Sequence, residues 1–518
     1  MNKTKQLIIS MIMISFLTIP EMTAQTTDPL KLNAQVFTEN TLLYPTGQNI
    51  KYRAFENIFY VANIADSVYQ TLNIYIPESA YTKNTKVPIF LKTNIGGYMA
   101  SKASSPSSSD ATGRALLEGY VVVIPGSRGS NSTITDADGN TVWTGRAPAG
   151  IVDLKATIRY LRYNKDRISG NTEMIITDGT SAGGAMSALL GATGNNPAYE
   201  PYLEALGAAK EHDDVFAAVC YCPITALDHA DMAYEWLYQS VNKDIRGISD
   251  TQVNVSKELA AQFPAYINSL GLKRVDGTPL TESNYMDYVK SFLIQSAQRA
   301  RNEGVDIPDS IGIKFNNPNK IVQGDIRGMQ KMNNTPPPMG IQPSSRNRPG
   351  GFPMSKGEIV TDIDLDVYFN YINSQRRLKT PPAFDALGVA GATASAENNV
   401  FGNTEGSSTN FTNYSLHKST GNSSLNLDDS LLERVYIMNP MNFIGDGVSK
   451  TAPNWYIRHG ALDRDTSFPV PVNLYTKLMN NGYSVDFFLP WNRNHSGDYN
   501  LDDLFTWIKT IVDSDEKL

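Results

Sequence analysis

Hydrophobic and polar positions fall into two regular regions separated by an irregular one. Residues 51–61 and 70–76 are strand-like runs rich in Tyr, Phe, Ile and Val, the second ending at Pro77, and they predict leading antiparallel strands. Residues 87–91 form another apolar run. Alternation then becomes regular: a helix near 111–118, a strand at 120–124, the loop PGSRGS, a helix near 151–163, and the short run 174–177. A further strand at 215–222 ends at Pro223. Strands alternating with helices imply a mostly parallel sheet covered on both faces.

From residue 226 to about 432 the regularity is lost. Helical pieces at 286–301 and 364–375 sit among Asn, Pro, Ser and Gly, and residues 333–357 (NNTPPPMGIQPSSRNRPGGFPMSKG) predict a mobile loop. The pattern resumes at 434–437, then in a strand at 455–458, a helix near 466–481 closed by Gly482, a strand at 484–489 and a final helix near 501–512. Length alone suggests about three domains. The pattern instead predicts one catalytic domain (25–225 and 433–518), interrupted after its sixth strand by a lid domain (226–432).

The N-terminus changes the compartment. Lys3 and Lys5 precede an apolar run at 7–19 and a small residue at Ala24, the arrangement of a secretory signal peptide over residues 1–24, too short to span a membrane stably. The mature chain is expected to be exported, periplasmic or extracellular. No cysteine follows the run to carry a lipid, and no later segment is long and apolar enough to insert in a bilayer. A net charge of −7 without basic clusters argues against nucleic acid as a partner. Cys220 and Cys222 are the only cysteines. Two residues apart on a strand, they stand ~6.6 Å apart at Cα, at the far edge of disulfide geometry. Zinc would need further Cys and His at ligand spacing, so two buried free thiols are expected.

Chemistry enters at residues 173–190, EMIITDGTSAGGAMSALL. The β-branched run 174–177 breaks at Asp178-Gly179, and small residues open a helix at Ala182. Within it, residues 179–183 fit G-x-S-x-G, a nucleophile elbow presenting Ser181 above the sheet. The alternative is an ordinary βα turn with an incidental serine. After the strand at 87–91, the glycine pair Gly96-Gly97 in TNIGGYM lets the backbone approach a ligand and aim an N–H at it, as an esterase oxyanion loop does; a plain tight turn would look the same.

A serine hydroxyl needs a base, and the base needs an orienting group. There are five histidines. His212 lies in a charged stretch, His229 at the lid entrance and His417 in a polar lid segment; His459 ends a strand as a packed structural residue. His495, in WNRNHSG, follows the last strand, where this architecture places its base. The acid comes from LDRDTS, after the strand at 455–458. Asp463, nearer the strand and more rigidly held, is assigned to orient His495, and Asp465 then needs another role. If both merely capped the following helix, only one of the pair would be explained.

With these residues placed, the chain resembles the bacterial tannases of the α/β-hydrolase superfamily, esterases that cleave galloyl esters. The similar stretches are YRAFENIFYV, TNIGGYM, GTSAGG, KTPPAFD, ENNVFG, DRDTS and NHSGDY. The resemblance implies a triad of Ser181, Asp463 and His495 and an oxyanion hole from the N–H groups of Gly97 and Ala182. It also implies a galloyl pocket in which Lys379, Glu397 and Asp465 bind the ring hydroxyls. Such a pocket makes chemical sense, because a carboxylate accepts from phenols, an ammonium binds phenolic oxygens, and their burial rejects rings lacking the hydroxyls. A solvated lid lysine is the plainer reading of Lys379. No metal or organic cofactor is required, and the partner is a small aromatic ester or plant polyphenol. A feruloyl or other hydroxycinnamoyl esterase, or a secreted serine peptidase, would keep the triad and replace the pocket. A carbohydrate- or polyphenol-binding protein without activity is disfavoured by the order Ser, Asp, His in fitting contexts.

Overall fold

Runs too apolar to face water on either side build the centre of the molecule. Val121–Pro125 (VVVIP) and Ala217–Tyr221 (AAVCY) are buried at every position, as strands covered on both faces must be. The computed structural model describes residues 28–83, 86–316, 358–389 and 393–515. The expected signal peptide and the loop at 333–357 lie outside these residues.

One 9-stranded sheet organises the chain. Its strands are β1 (Thr38–Leu43), β2 (Asn49–Phe59), β3 (Thr71–Pro77), β4 (Val87–Thr93), β5 (Val121–Pro125), β6 (Gly170–Thr180), β7 (Ala217–Tyr221), β8 (Asn454–Arg458) and β9 (Ser484–Phe488). In space they run β1-β2-β3-β5-β4-β6-β7-β8-β9. Pairings are antiparallel from β1 to β5 and parallel from β5 to β9. The antiparallel start and parallel remainder are those expected. β1 is an addition: TENTLL is almost wholly exposed at the edge of the sheet, so no apolar alternation announces it, and the insertion leaves after the seventh strand of the sheet, not the sixth.

Alternate side chains of each strand enter opposite cores. Ile89, Leu91, Val121 and Val123 face one, with α2 (Ala149–Tyr163) and α3 (Ala182–Ala192); Phe90, Val122 and Ile176 face the other, with α1 (Ala111–Leu117) and α10 (Leu501–Asp515). The segment after β7 contributes α4 (Leu227–Tyr238), α5 (Glu282–Asn302), α6 (Leu365–Gln375) and α7 (Ala396–Val400). A short antiparallel pair, Ile313–Asn316 with Ile359–Ile363, lies between α5 and α6. Tyr234, Tyr285, Tyr288 and Phe369 of this segment belong to the same buried cluster as Leu474 and Leu478 of α9 (Pro469–Asn480), so the insertion shares the core of the sheet.

The regular stretch at 434–437 does not begin a sheet strand. It ends α8 (Asp429–Ile437), whose N-cap Asp428 accepts from the Leu431 N–H and whose buried Leu431 and Val435 are one helical turn apart. A short Val-Tyr-Ile run is compatible with either state, and the boundary expected between 432 and 433 falls inside this helix. No helix among the described residues is long and apolar enough to cross a membrane.

Candidate active site

β6 turns into α3 at Ser181, which holds φ +63° and ψ −125°, a backbone conformation that residues with a Cβ rarely adopt. The turn is tight because its glycines touch neighbouring backbone. A Cβ on Gly179 would lie 2.1 Å from Thr93 Oγ1 and 2.2 Å from the Gly183 carbonyl oxygen; one on Gly183 would lie 2.6 Å from the Thr93 carbonyl oxygen. The Ser181 N–H donates to Tyr221 O at 2.9 Å and the Gly183 N–H to Ile95 O at 2.8 Å. The elbow is thereby tied to β7 on one side and to the loop after β4 on the other.

That loop carries Gly97 at φ +54°. Among the described residues the N–H groups of Gly97 and Ala182 have no hydrogen-bond acceptor, and Ala182, as the first residue of α3, has none available within its helix. Free backbone donors beside the serine can bind an oxyanion.

The structure brings three sequence-predicted residues together. His495 Nε2 is 2.8 Å from Ser181 Oγ, and its Nδ1 is 2.7 Å from Asp463 Oδ2. The other carboxylate oxygen, Oδ1, accepts the N–H groups of Asp465 (2.8 Å) and Thr466 (3.3 Å). Asp463 is completely buried. Burial opposes its charge, but His459, His495 and the His495 hydrogen bond outweigh it and hold the carboxyl well below the usual range. For His495, burial favours the neutral ring, yet Asp463 and then Asp465 raise its pKa above the ordinary value against the opposing charge of Lys379.

Parts of this scaffold were not foreseen. Three tyrosines of the insertion donate to the acid loop: Tyr368 to Ala461 O (2.8 Å), Tyr238 to Asp463 O (3.3 Å) and Tyr234 to Arg464 O (2.7 Å). The histidine loop is pinned separately. Lys92 Nζ lies 2.6 Å from Asp178 Oδ2 and 3.0 Å from Asp498 Oδ1, and a Cβ on Gly497 would fall 1.9 Å from Thr180 Oγ1. A lysine inside the apolar run VPIFLKT was the available signal, because a buried ammonium requires partners. His459 is fully buried, with Nδ1 3.5 Å from Asp463 Oδ2. Cys220 and Cys222 are buried free thiols, as expected.

The three residues assigned to the ring are placed around this centre. Lys379 and Asp465 are near enough to His495 to bias its charge in opposite directions. The Lys379 ammonium lies 4.0 Å from the Phe384 ring centroid and has no carboxylate or carbonyl partner among the described residues. Its backbone N–H donates to Tyr234 Oη (2.9 Å), and its carbonyl accepts from Arg246 (2.8 Å). Asp465 is not free: Arg376 and Arg464 approach its two oxygens at 2.9 and 3.2 Å. Glu397, in α7, is buried, and its carboxylate accepts no hydrogen bond among the described residues. Its neighbour Ala396 faces Gly97, 3.9 Å from where a Cβ of Gly97 would stand. The Lys379 and Glu397 segments are joined by Asn398, which donates to Asp385 Oδ1 at 2.8 Å.

A family model named BD-FAE matches residues 72–267. A 58-residue segment is 43% identical to Esterase LipC of Mycobacterium tuberculosis (strain ATCC 25618 / H37Rv), covering 11% of this chain and 14% of that enzyme. Sheet, elbow and these matches define a hydrolase of the esterase type on the α/β-hydrolase fold. Similarity to solved structures runs much further. The native tannin acyl hydrolase of Lactobacillus plantarum superposes with a TM-score of 0.77 and 36% identity over 93% of this chain and 98% of its own. The Fusobacterium nucleatum tannase gives 0.77 and 36% over 93% and 99%. A tannin acyl hydrolase in complex with ethyl gallate gives 0.77 and 36% over 93% and 98%. The chain belongs to the tannin acyl hydrolase (tannase) family.

Proposed function

We propose that this chain is an exported serine esterase that hydrolyses galloyl and related hydroxybenzoyl esters through an acyl-enzyme. The observation that carries the reading is the continuous chain Ser181 Oγ, His495, Asp463, with spacings of 2.8 and 2.7 Å, beside two free backbone donors. His495 Nε2 takes the proton of Oγ as it attacks the ester carbonyl. The N–H groups of Gly97 and Ala182 stabilise the oxyanion, and the imidazolium, held by Asp463, gives its proton to the departing alcohol. Water then repeats the sequence on the acyl-enzyme. Export rests on residues 1–24 acting as a signal peptide.

Acyl preference rests on Lys379, Glu397 and Asp465. A buried carboxylate and an ammonium without conventional partners match a ring carrying several phenols, and a related enzyme is known with ethyl gallate bound. The test is a rate comparison on methyl gallate, methyl ferulate and methyl benzoate. The gallate ester is expected to be fastest in kcat/KM; a preference for ferulate would assign a hydroxycinnamoyl esterase instead. Lys379→Ala, Glu397→Ala and Asp465→Ala should each weaken use of methyl gallate by roughly 5- to 150-fold, the worth of about 1–3 kcal/mol per lost buried hydrogen bond. Methyl benzoate, which makes none of those bonds, should be nearly unaffected. Equal losses on both esters would remove these residues from ring recognition.

The pH profile follows from the charge pattern. His495 must be neutral to accept the Ser181 proton, and its pKa is raised. Activity therefore rises with pH through a midpoint above the ordinary histidine value of about 6.5. A kcat/KM profile already flat at pH 6 would contradict this assignment of the base.

A further inference from the structure

We propose that Cys222, Asp463 and His495 form a binding site for one soft divalent cation, Zn²⁺ or Cd²⁺, and that its occupation switches the hydrolytic machinery off. One ligand atom from each of the three residues lies within 4.8 Å of the other two. Thiolate, carboxylate and imidazole are the donor set such cations take, whereas Mg²⁺ and Ca²⁺ take oxygen.

Cys222 follows β7 in a left-handed conformation, φ +43°, with its N–H donating to Arg458 O at 2.7 Å. Its Sγ lies 3.4 Å from Ser496 O and 3.6 Å from Tyr499 Oη, directly behind the histidine loop. Bonds of about 2.0–2.3 Å to a tetrahedral ion put ligand atoms roughly 3.3–3.8 Å apart. Closing the cluster therefore requires Sγ to move inward by up to ~1 Å and the Asp463–His495 contact to open by a similar amount. The sequence hid this site because only Cys220 stands near Cys222 in the chain, and the other two ligands come from loops after β8 and β9.

The step balances. The Cys222 thiol releases one proton to solvent as Sγ bonds the ion. The ion takes Nδ1 of the neutral His495 ring, and the single ring proton moves from Nδ1 to Nε2. The dication, thiolate and carboxylate sum to zero charge, which suits a buried position. His459 supplies an outer partner: it is fully buried, and both ring nitrogens lack a hydrogen bond among the described residues. Its Nδ1, 3.5 Å from Asp463 Oδ2, can hold the carboxylate once the His495 bond is gone. With hydrogen on Nε2, His495 donates to Ser181 Oγ and can no longer take its proton. This inhibitory consequence rests on the proposed function, whereas binding does not.

Cadmium titration tests both. One equivalent should raise the ultraviolet thiolate-to-cadmium charge-transfer band and abolish hydrolysis of a generic aryl ester in the same proportion, with EDTA restoring activity. Ser181→Ala should show the same band. Cys222→Ala should lose the band and need roughly 100-fold or more cadmium for half inhibition of its own rate, while Cys220→Ala behaves as wild type. Cys222→Ser serves equally if the alanine variant does not fold. Unchanged inhibition in both Cys222 variants, or a band lost only in Cys220→Ala, overturns the site. A Cys222-dependent band without inhibition upholds the site and removes His495 from catalysis instead.

Discussion

Ser181→Ala is expected to lower kcat on methyl gallate by roughly 10³-fold or more while leaving substrate affinity nearly intact. The oxygen removed is the one 2.8 Å from His495 Nε2, and no other hydroxyl makes a hydrogen bond to that nitrogen among the described residues. The free N–H groups of Gly97 and Ala182 remain, so residual turnover by water at the polarised carbonyl persists. Folding should survive, because serine and alanine both carry a Cβ and meet the same strain at φ +63°. Steady-state kinetics, with circular dichroism to verify the fold, make the measurement. A variant within about tenfold of wild type would place the nucleophile elsewhere.

The elbow could be read directly because its constraint is local. A strand breaking into a small-residue helix within four residues leaves few structures open to GTSAGG, and the overlap that a Cβ at Gly179 or Gly183 would make with Thr93 and the turn's own backbone explains why glycine stands there. His495 could be reached because histidine is scarce and the loop after the last strand is one place. Asp463 followed from its distance to the end of β8.

Long-range support could not be read in the same way. The tyrosines Tyr234, Tyr238 and Tyr368 lie in the irregular insertion, and nothing in their local sequence indicates that their hydroxyls reach the carbonyls of residues 461–464. The expected lid thus also builds the acid loop. Asp498 appeared in the stretch NHSGDY without a role; it acquires one only when β4 brings Lys92 beside it. Edge strand β1 buries almost nothing and so leaves no apolar pattern to read, and the four residues at 434–437 contain too little periodicity to separate strand from helix.

On the proposed mechanism, the two aspartates of DRDTS separate the chemistry from recognition. Asp463→Asn should cost kcat about 10⁴-fold on every ester, as loss of the orienting carboxylate does in serine hydrolases. An amide that presents N–H to Nδ1 selects the wrong tautomer, and the imidazolium formed during attack loses its only hydrogen-bonded counter-charge among the described residues. The same change removes the largest influence raising the His495 pKa, so the remaining activity should titrate at lower pH. Asp465→Asn should behave differently. Its carboxylate meets Arg376 and Arg464, not the His495 ring nitrogens; turnover of methyl benzoate should stay within about tenfold of wild type while gallate use falls. The positions differ by two residues, so comparing both variants on both esters controls for general damage to the loop. If Asp465→Asn abolishes benzoate turnover and Asp463→Asn spares it, the orienting acid is Asp465, and the 2.7 Å contact at Asp463 serves only to hold the loop.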